Sequence, residues 1–198
     1  VLEGHSIAPG VGTGFAWLEE LPRKTAKARI SESAVESEKA RFQNALQVVR
    51  KGIQQHINAS PSKRDDRLKQ VLEAHEMMLN DPVTVERIED RISRQLMNAE
   101  WAVSEEEASL VSQLEEAVDP YLRARIEDIR DLSSSILTVL STGRANHVPV
   151  ASKDDNSRPQ VMLTQHLFPT LAIRAHQANV AGFATESPAV FSHAAIIL

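Results

Sequence analysis

Between Ser31 and Gly143 the apolar residues recur at helical spacing in five separate runs. Phe42, Leu46, Val49, Ile53 and Ile57 advance by four, three, four and four positions, which sets them on one face of a helix. Ser33 followed by Glu36 predicts a capping box at or near its start, and NASPSK breaks the pattern. A second run places Leu68, Val71, Leu72, His75, Met78 and Leu79 on one face, with Asp65 and Asp66 suited to the positive end of the helix dipole. It stops at Asn-Asp-Pro. There Asp81 can cap a third helix that begins at Pro82 and carries Val85, Ile88, Ile92 and Leu96. Asn98 opens a fourth run with Trp101, Ala108, Val111 and Val118. Asp119-Pro120 then restarts the chain with Leu122, Ile126, Ile129, Ile136, Leu137 and Leu140, and Gly143 is its C-terminal stop. Amphipathic helices joined by short turns predict an antiparallel bundle. Each stripe alone says no more than core packing.

The flanks have a different pattern. HSIAPGVGTGFAWLEE is Gly-rich and apolar without helical spacing, so it reads as extended chain with turns. After the polar linker SKDDNSRPQ come VMLT as a short buried strand, a helix from about Pro169 to Gln177, VAGFAT as a second strand and the start of another helix. That alternation predicts an α/β domain. The simplest architecture is α+β and multi-domain: a discontinuous α/β domain from residues 1–30 and 144–198, with a helical bundle, 31–143, inserted in it.

Composition narrows the function classes. At 198 residues the chain can form one large domain or two small ones, and 42% hydrophobic content supports buried cores. Its net charge of -5 gives no electrostatic reason to expect nucleic acid, and proteins or small molecules suit it better as partners. With no cysteine there are no disulfides, thiolate nucleophiles or Cys-ligated metals, in keeping with a reducing cytoplasm. No apolar run approaches the roughly 20 residues that span a bilayer, and no signal peptide is recognisable, so a cytoplasmic protein without membrane partners is expected. Val at position 1 and the apolar run Ala194 to Leu198 at the end suggest a fragment of a longer polypeptide.

The seven histidines show no metal-binding spacing such as HExxH, so no metal ligands are assigned. His193 stands apart. It follows the VAGFAT strand through a loop and begins the apolar run AAIIL, the place where backbone N–H groups and the helix dipole favour an anion. A histidine there can carry a phosphoryl group, with Ser192 donating a further hydrogen bond. It can equally be an unreactive histidine at a helix start, and these residues alone leave both readings open.

Four blocks in order, SIAPGVGTGFAW, LEAHEMMLNDP, DPYLRARIEDIRDL and GFATES followed by SHAAII, resemble the N-terminal half of enzyme I. Enzyme I is the phosphoenolpyruvate-protein phosphotransferase of the bacterial phosphotransferase system, which includes a nitrogen-related branch. The resemblance covers nearly the whole chain. It implies a swivelling α/β phosphohistidine domain, truncated at its C-terminus, and an inserted helical domain that docks the carrier protein HPr. It places His193 at the histidine phosphorylated from phosphoenolpyruvate. The family often carries Pro-Ser-x-Thr earlier in this domain, with that Thr near the histidine; the block PTLA keeps a hydroxyl at Thr170 as a phosphate-stabilising candidate but puts Ala172 at the Thr position. Asp66, Val71, His75, Met77 and Met78 on the second helix would form a docking strip, with Arg125 reaching the same partner. The family binds phosphoenolpyruvate and Mg²⁺ in a C-terminal barrel and dimerises there. This chain has no segment for that barrel, so it needs no cofactor of its own, while Mg²⁺ and a homodimer are expected of a full-length protein active in sugar transport.

The loop before His193 departs from the family. Pro188, Ala189, Val190 and Phe191 replace Gly-Gly-x-Thr, and proline fixes φ and lacks an N–H donor where glycines allow close approach to phosphate. Either the loop has its own phosphate contacts or the site has lost transfer activity, and retention of His193 with the following AAII favours the first. Two alternatives accompany this reading: the phosphocarrier region of the dihydroxyacetone kinase system, and a non-catalytic interaction module with an inactivated site.

Overall fold

The computed structural model describes residues 6, 10–18, 27–59, 66–116, 119–143, 159–177 and 180–186. Contacts divide the chain into two compact units, Val1–Leu21 with Val148–Leu198, and Pro22–His147.

The second unit is helical. A single 3-10 turn, Glu32–Ala34, leads into α1, Val35–Ala59, followed by α2, Asp66–Leu79, α3, Pro82–Gln95, α4, Ala99–Glu115, and α5, Pro120–Thr142. The stripes of α1, α2, α3 and α5 meet as the spacing predicts: Phe42, Leu72, Ile92 and Ile136 are among the buried residues. Asp81 caps α3 as expected, its carboxylate accepting from Val83 N at 3.3 Å and Thr84 N at 3.1 Å, with Pro82 at the first turn. Leu96 closes α3 in the left-handed conformation, φ 53°, instead of extending its stripe. Its carbonyl accepts from Ile30 N, and Asn98 N donates to Ala28 O, so the chain entering the unit is tied to the α3–α4 turn.

Two other expectations are corrected. The capping box at Ser33 does not form, because Ser33 lies inside the 3-10 turn and its hydroxyl pairs with that of Ser31. In α4 the buried face is Ala99, Ala102, Val103 and Glu106, whereas Ala108 is exposed and Trp101 and Val111 are only partly buried; Val118 lies outside the described residues. Glu106 can occupy the core because Arg87 and Arg91 reach its two oxygens at 3.4 and 3.1 Å. Asn98 does not cap α4 with its side chain; the free N–H of Ala99 is taken instead by Glu38 of α1 at 2.6 Å.

Among the described residues the other unit contains a three-stranded parallel sheet. Strands β1, Phe15–Leu18, β2, Gln160–Thr164, and β3, Val180–Thr185, lie in the order β1-β2-β3, and α6, Pro169–Gln177, connects β2 to β3. The register aligns Trp17 with Met162 and Met162 with Phe183. All three belong to a core made with Phe168, Leu171 and Ala175. Two glycines let the N-terminal segment reach the sheet. A Cβ on Gly12 would lie 2.3 Å from Ala181 O, beside the bulge in β3, and one on Gly14 would lie 2.2 Å from Pro159 O. Among the described residues no helix is long and apolar enough to cross a membrane.

Candidate functional site

In open parallel sheets, ligands are handled beyond the carboxyl ends of the strands. Those ends are laced together here: Thr164 Oγ1 donates to His166 O at 2.9 Å, Thr185 Oγ1 to Gln165 O at 3.0 Å, and Glu186 N to Thr164 O at 3.2 Å. The His166 ring stacks on Phe168, with centroids 5.6 Å apart. Thr170 occupies the first turn of α6 and is half-buried. Ala172, one turn in, is fully buried and offers no side-chain donor. Ser192 and His193 follow the end of β3 in sequence and lie outside the described residues.

On the helical unit the anticipated docking strip divides. Met77 is 76% exposed, at the last turn of α2. Met78 is half-buried and lines a cavity of about 390 Å³ with Met77, Asp81, Val85, Glu107 and Leu110. Val71 and His75, in contrast, are core residues, because their positions on α2 share the face of Leu72 and Leu79. Neither meets solvent as a docking contact would. Asp66 is the first residue of α2, and its side chain lies outside the described residues. Arg125 is partly exposed on α5 and donates from Nη1 to Asp128 Oδ2 at 3.2 Å. Val83, which the α3 stripe does not include, is 51% exposed on the first turn of α3. Its only sequence signal was an apolar residue directly after a capped Asp-Pro, where the first helical turn is free of the stripe.

Two carboxylates around this cavity, Asp81 and Glu107, are tuned in opposite directions. Hydrogen bonds from the Thr84 hydroxyl and from the backbone N–H groups of Thr84 and Val83 hold Asp81 below the usual carboxylate range. Burial pushes Glu107 above it, opposed by the Arg130 guanidinium and a hydrogen bond with Ser133. A carboxyl raised in the folded state favours folding below its unfolded value, and that contribution is lost as pH rises through the folded value. Glu107→Gln is therefore expected to raise the thermal midpoint by about 2 °C at pH 8, with the advantage shrinking towards pH 4. Circular dichroism melts at both pH values check this, and a pH-independent difference would contradict it. Among the described residues no three His, Asp or Glu side chains gather as metal ligands would.

Comparison with known proteins fits this geometry. The family model described as "PEP-utilising enzyme, N-terminal" matches residues 3–125. A protein of Priestia megaterium called phosphoenolpyruvate-protein phosphotransferase is 26% identical over 196 residues, covering 99% of this chain and 33% of the relative. This chain thus spans about a third of the length of the curated relatives it matches. A solution structure of enzyme I aligns with 100% of this chain and 78% of its own, at 29% identity and a TM-score of 0.74. The N-terminal domain of "Enzyme 1 - Nitrogen" aligns over 96% and 76%, with a TM-score of 0.70; at 21% identity it supports the fold alone.

Proposed function

We propose that this chain, which belongs to the PEP-utilising enzyme N-terminal family, is the phosphoryl-relay part of a longer phosphotransferase. In this reading His193 accepts a phosphoryl group and exchanges it with a histidine of an HPr-type carrier that docks on the helical unit. The unit of residues 1–21 and 148–198 is the phosphohistidine domain and that of 22–147 the docking domain, residues 22–30 and 144–147 going with the helices and not with the sheet as the sequence suggests. The observation that carries the reading is the β2–α6–β3 arrangement, in which two parallel strands end together and only residues 186–191 separate the end of β3 from Ser192 and His193 in sequence.

The chemistry needs little beyond placement. An imidazole nitrogen of His193 attacks phosphorus as the N–P bond to the carrier histidine breaks, and both bonds are of the same type. Positioning and charge stabilisation then dominate the barrier. Ser192 and Thr170 supply hydroxyl donors for the phosphoryl oxygens. Phosphoenolpyruvate, Mg²⁺ and dimerisation are assigned to the rest of the longer protein, in a cytoplasmic setting. The Pro188-Ala189-Val190-Phe191 loop supports a second reading, in which the chain keeps docking and has lost transfer.

Carrier docking is assigned to the exposed end of α2 around Met77, where an unbranched thioether can adapt to a partner. Met77→Glu puts a charge at that contact and is expected to weaken carrier binding about tenfold, without lowering the thermal midpoint. Titration calorimetry with an HPr-type carrier measures this. Unchanged affinity would remove this end of α2 from the docking surface.

A further inference from the structure

The space between α2 and α5 holds polar groups where apolar packing would be cheaper. His75 on α2 is 0% exposed and Asp128 on α5 is 1% exposed. Isolated burial of a carboxylate costs several kcal/mol, and apolar replacement of a buried polar pair is often neutral or stabilising. The pair therefore calls for an account beyond stability.

Its geometry supplies one. His75 Nε2 lies 3.2 Å from Asp128 Oδ1, and Asp128 Oδ2 accepts from Arg125 Nη1, also at 3.2 Å. The two carboxylate oxygens are thus divided between a buried ring on one helix and a partly exposed guanidinium on the other. Among the described residues His75 Nδ1 has no hydrogen-bond partner, so the bond from Nε2 to Asp128 is the one polar contact that holds the ring. Arg125 and Asp128 are three residues apart on one helix, the guanidinium partly exposed and the carboxylate buried, and an i,i+3 pair contributes only a few tenths of a kcal/mol to holding the guanidinium. A third group from a different helix fixes the carboxylate plane, and with it the direction of the guanidinium.

We propose that His75 is a positioning residue: through Asp128 it orients Arg125 for a hydrogen-bond acceptor on the docked carrier. This rests on the reading that the carrier docks on the helical unit. It also gives His75 a role that its burial allows, since the ring acts from the core without touching the partner. The same chain explains why a polar residue is kept on the apolar face of α2.

The test is carrier binding to the full chain by titration calorimetry, in a cycle of His75→Leu, Arg125→Ala and the double variant. Each variant is also checked by its thermal midpoint and by the NMR signal of the Arg125 Nε–H. Loss of either residue is expected to weaken binding about tenfold, and the double variant to bind no more weakly than Arg125→Ala. His75→Gln, whose amide N–H can still reach Asp128, should recover most of the affinity and the Arg125 signal. If His75→Leu does not fold, Asp128→Asn takes its place in the cycle, with the same expectation. A full tenfold loss from His75→Leu on top of Arg125→Ala would overturn the proposal, as would an unmoved Arg125 signal. Unchanged affinity in Arg125→Ala while Met77→Glu weakens binding would also overturn it, yet leave the docking reading standing. Unchanged affinity in both would end the docking reading itself.

Discussion

His193→Ala is expected to take up no phosphoryl group from a phosphorylated carrier, against about one per chain for the parent sequence. The reason is chemical. The imidazole is the only nitrogen nucleophile assigned to the site, and neither Ser192 nor Thr170 can form the acid-labile N–P bond that marks phosphohistidine. The substitution should not disturb carrier affinity or the melting of the helical unit, because residue 193 belongs to the other compact unit. Loss of phosphoryl uptake with intact docking separates a reactive centre from a binding element. Acid-labile phosphate retained in His193→Ala would place the acceptor at another histidine. His166, at the carboxyl end of β2, would be the first to test.

Arg41→Ala is expected to produce the largest loss of stability proposed here, about 2 kcal/mol, or about 6 °C in the melting of the helical unit. Arg41 connects three helices. Its guanidinium pairs with Glu38 on its own helix and with both oxygens of Glu100 on α4, and it donates to Leu140 O on α5 at 3.1 Å. Breaking a well-buried network of this kind costs ~3–5 kcal/mol. The Arg41 side chain is 38% exposed, so solvent screening reduces the figure. Glu38 would lose its main partner while still bonded to Ala99 N. Arg41→Lys keeps the charge without the fork and should recover only part of the loss.

The same network sets a pH dependence. Burial alone would raise Glu38, but the hydrogen bond from Arg41, the Ala99 N–H and the charge of Arg41 together hold it below its ordinary value. A carboxyl lowered in the folded state contributes stability above its unfolded value, and that contribution is lost as pH falls through the folded value. The gap between the parent chain and Arg41→Ala should therefore close as the solution is acidified. Urea unfolding at pH 7 and near pH 3 follows it. A gap of constant size would show that Arg41 acts by packing.

Local chemistry explains which parts of this fold were readable. The capped start of α3 was legible because Asp81 and Pro82 act within one turn of chain. The stripes of α1 and α5 were legible because buried apolar residues such as Leu46, Val49 and Ile53, and Ile129, Ile136 and Leu140, keep the helical period, although Asp128 and Asp131 share the buried side of α5. The α4 face was not, since two alanines, Val103 and a salt-bridged Glu106 form its buried side and nothing in α4 announces the two arginines on α3. His75 shows the limit most clearly on α2. Its place in the apolar period of α2 was visible, but its bond to Asp128 joins residues 53 positions apart. Patterning set it on the apolar face of α2, the family resemblance offered it as a docking contact, and the packing of α2 on α5 shows it in the core, bonded to another side chain.

The most direct measurement is the intact mass of this chain after incubation with a phosphorylated HPr-type carrier, before and after mild acid. The account predicts a gain of one phosphate that acid removes. A folded chain that binds the carrier and gains none would contradict the relay and leave a docking module whose altered Pro188 to Phe191 loop no longer supports transfer.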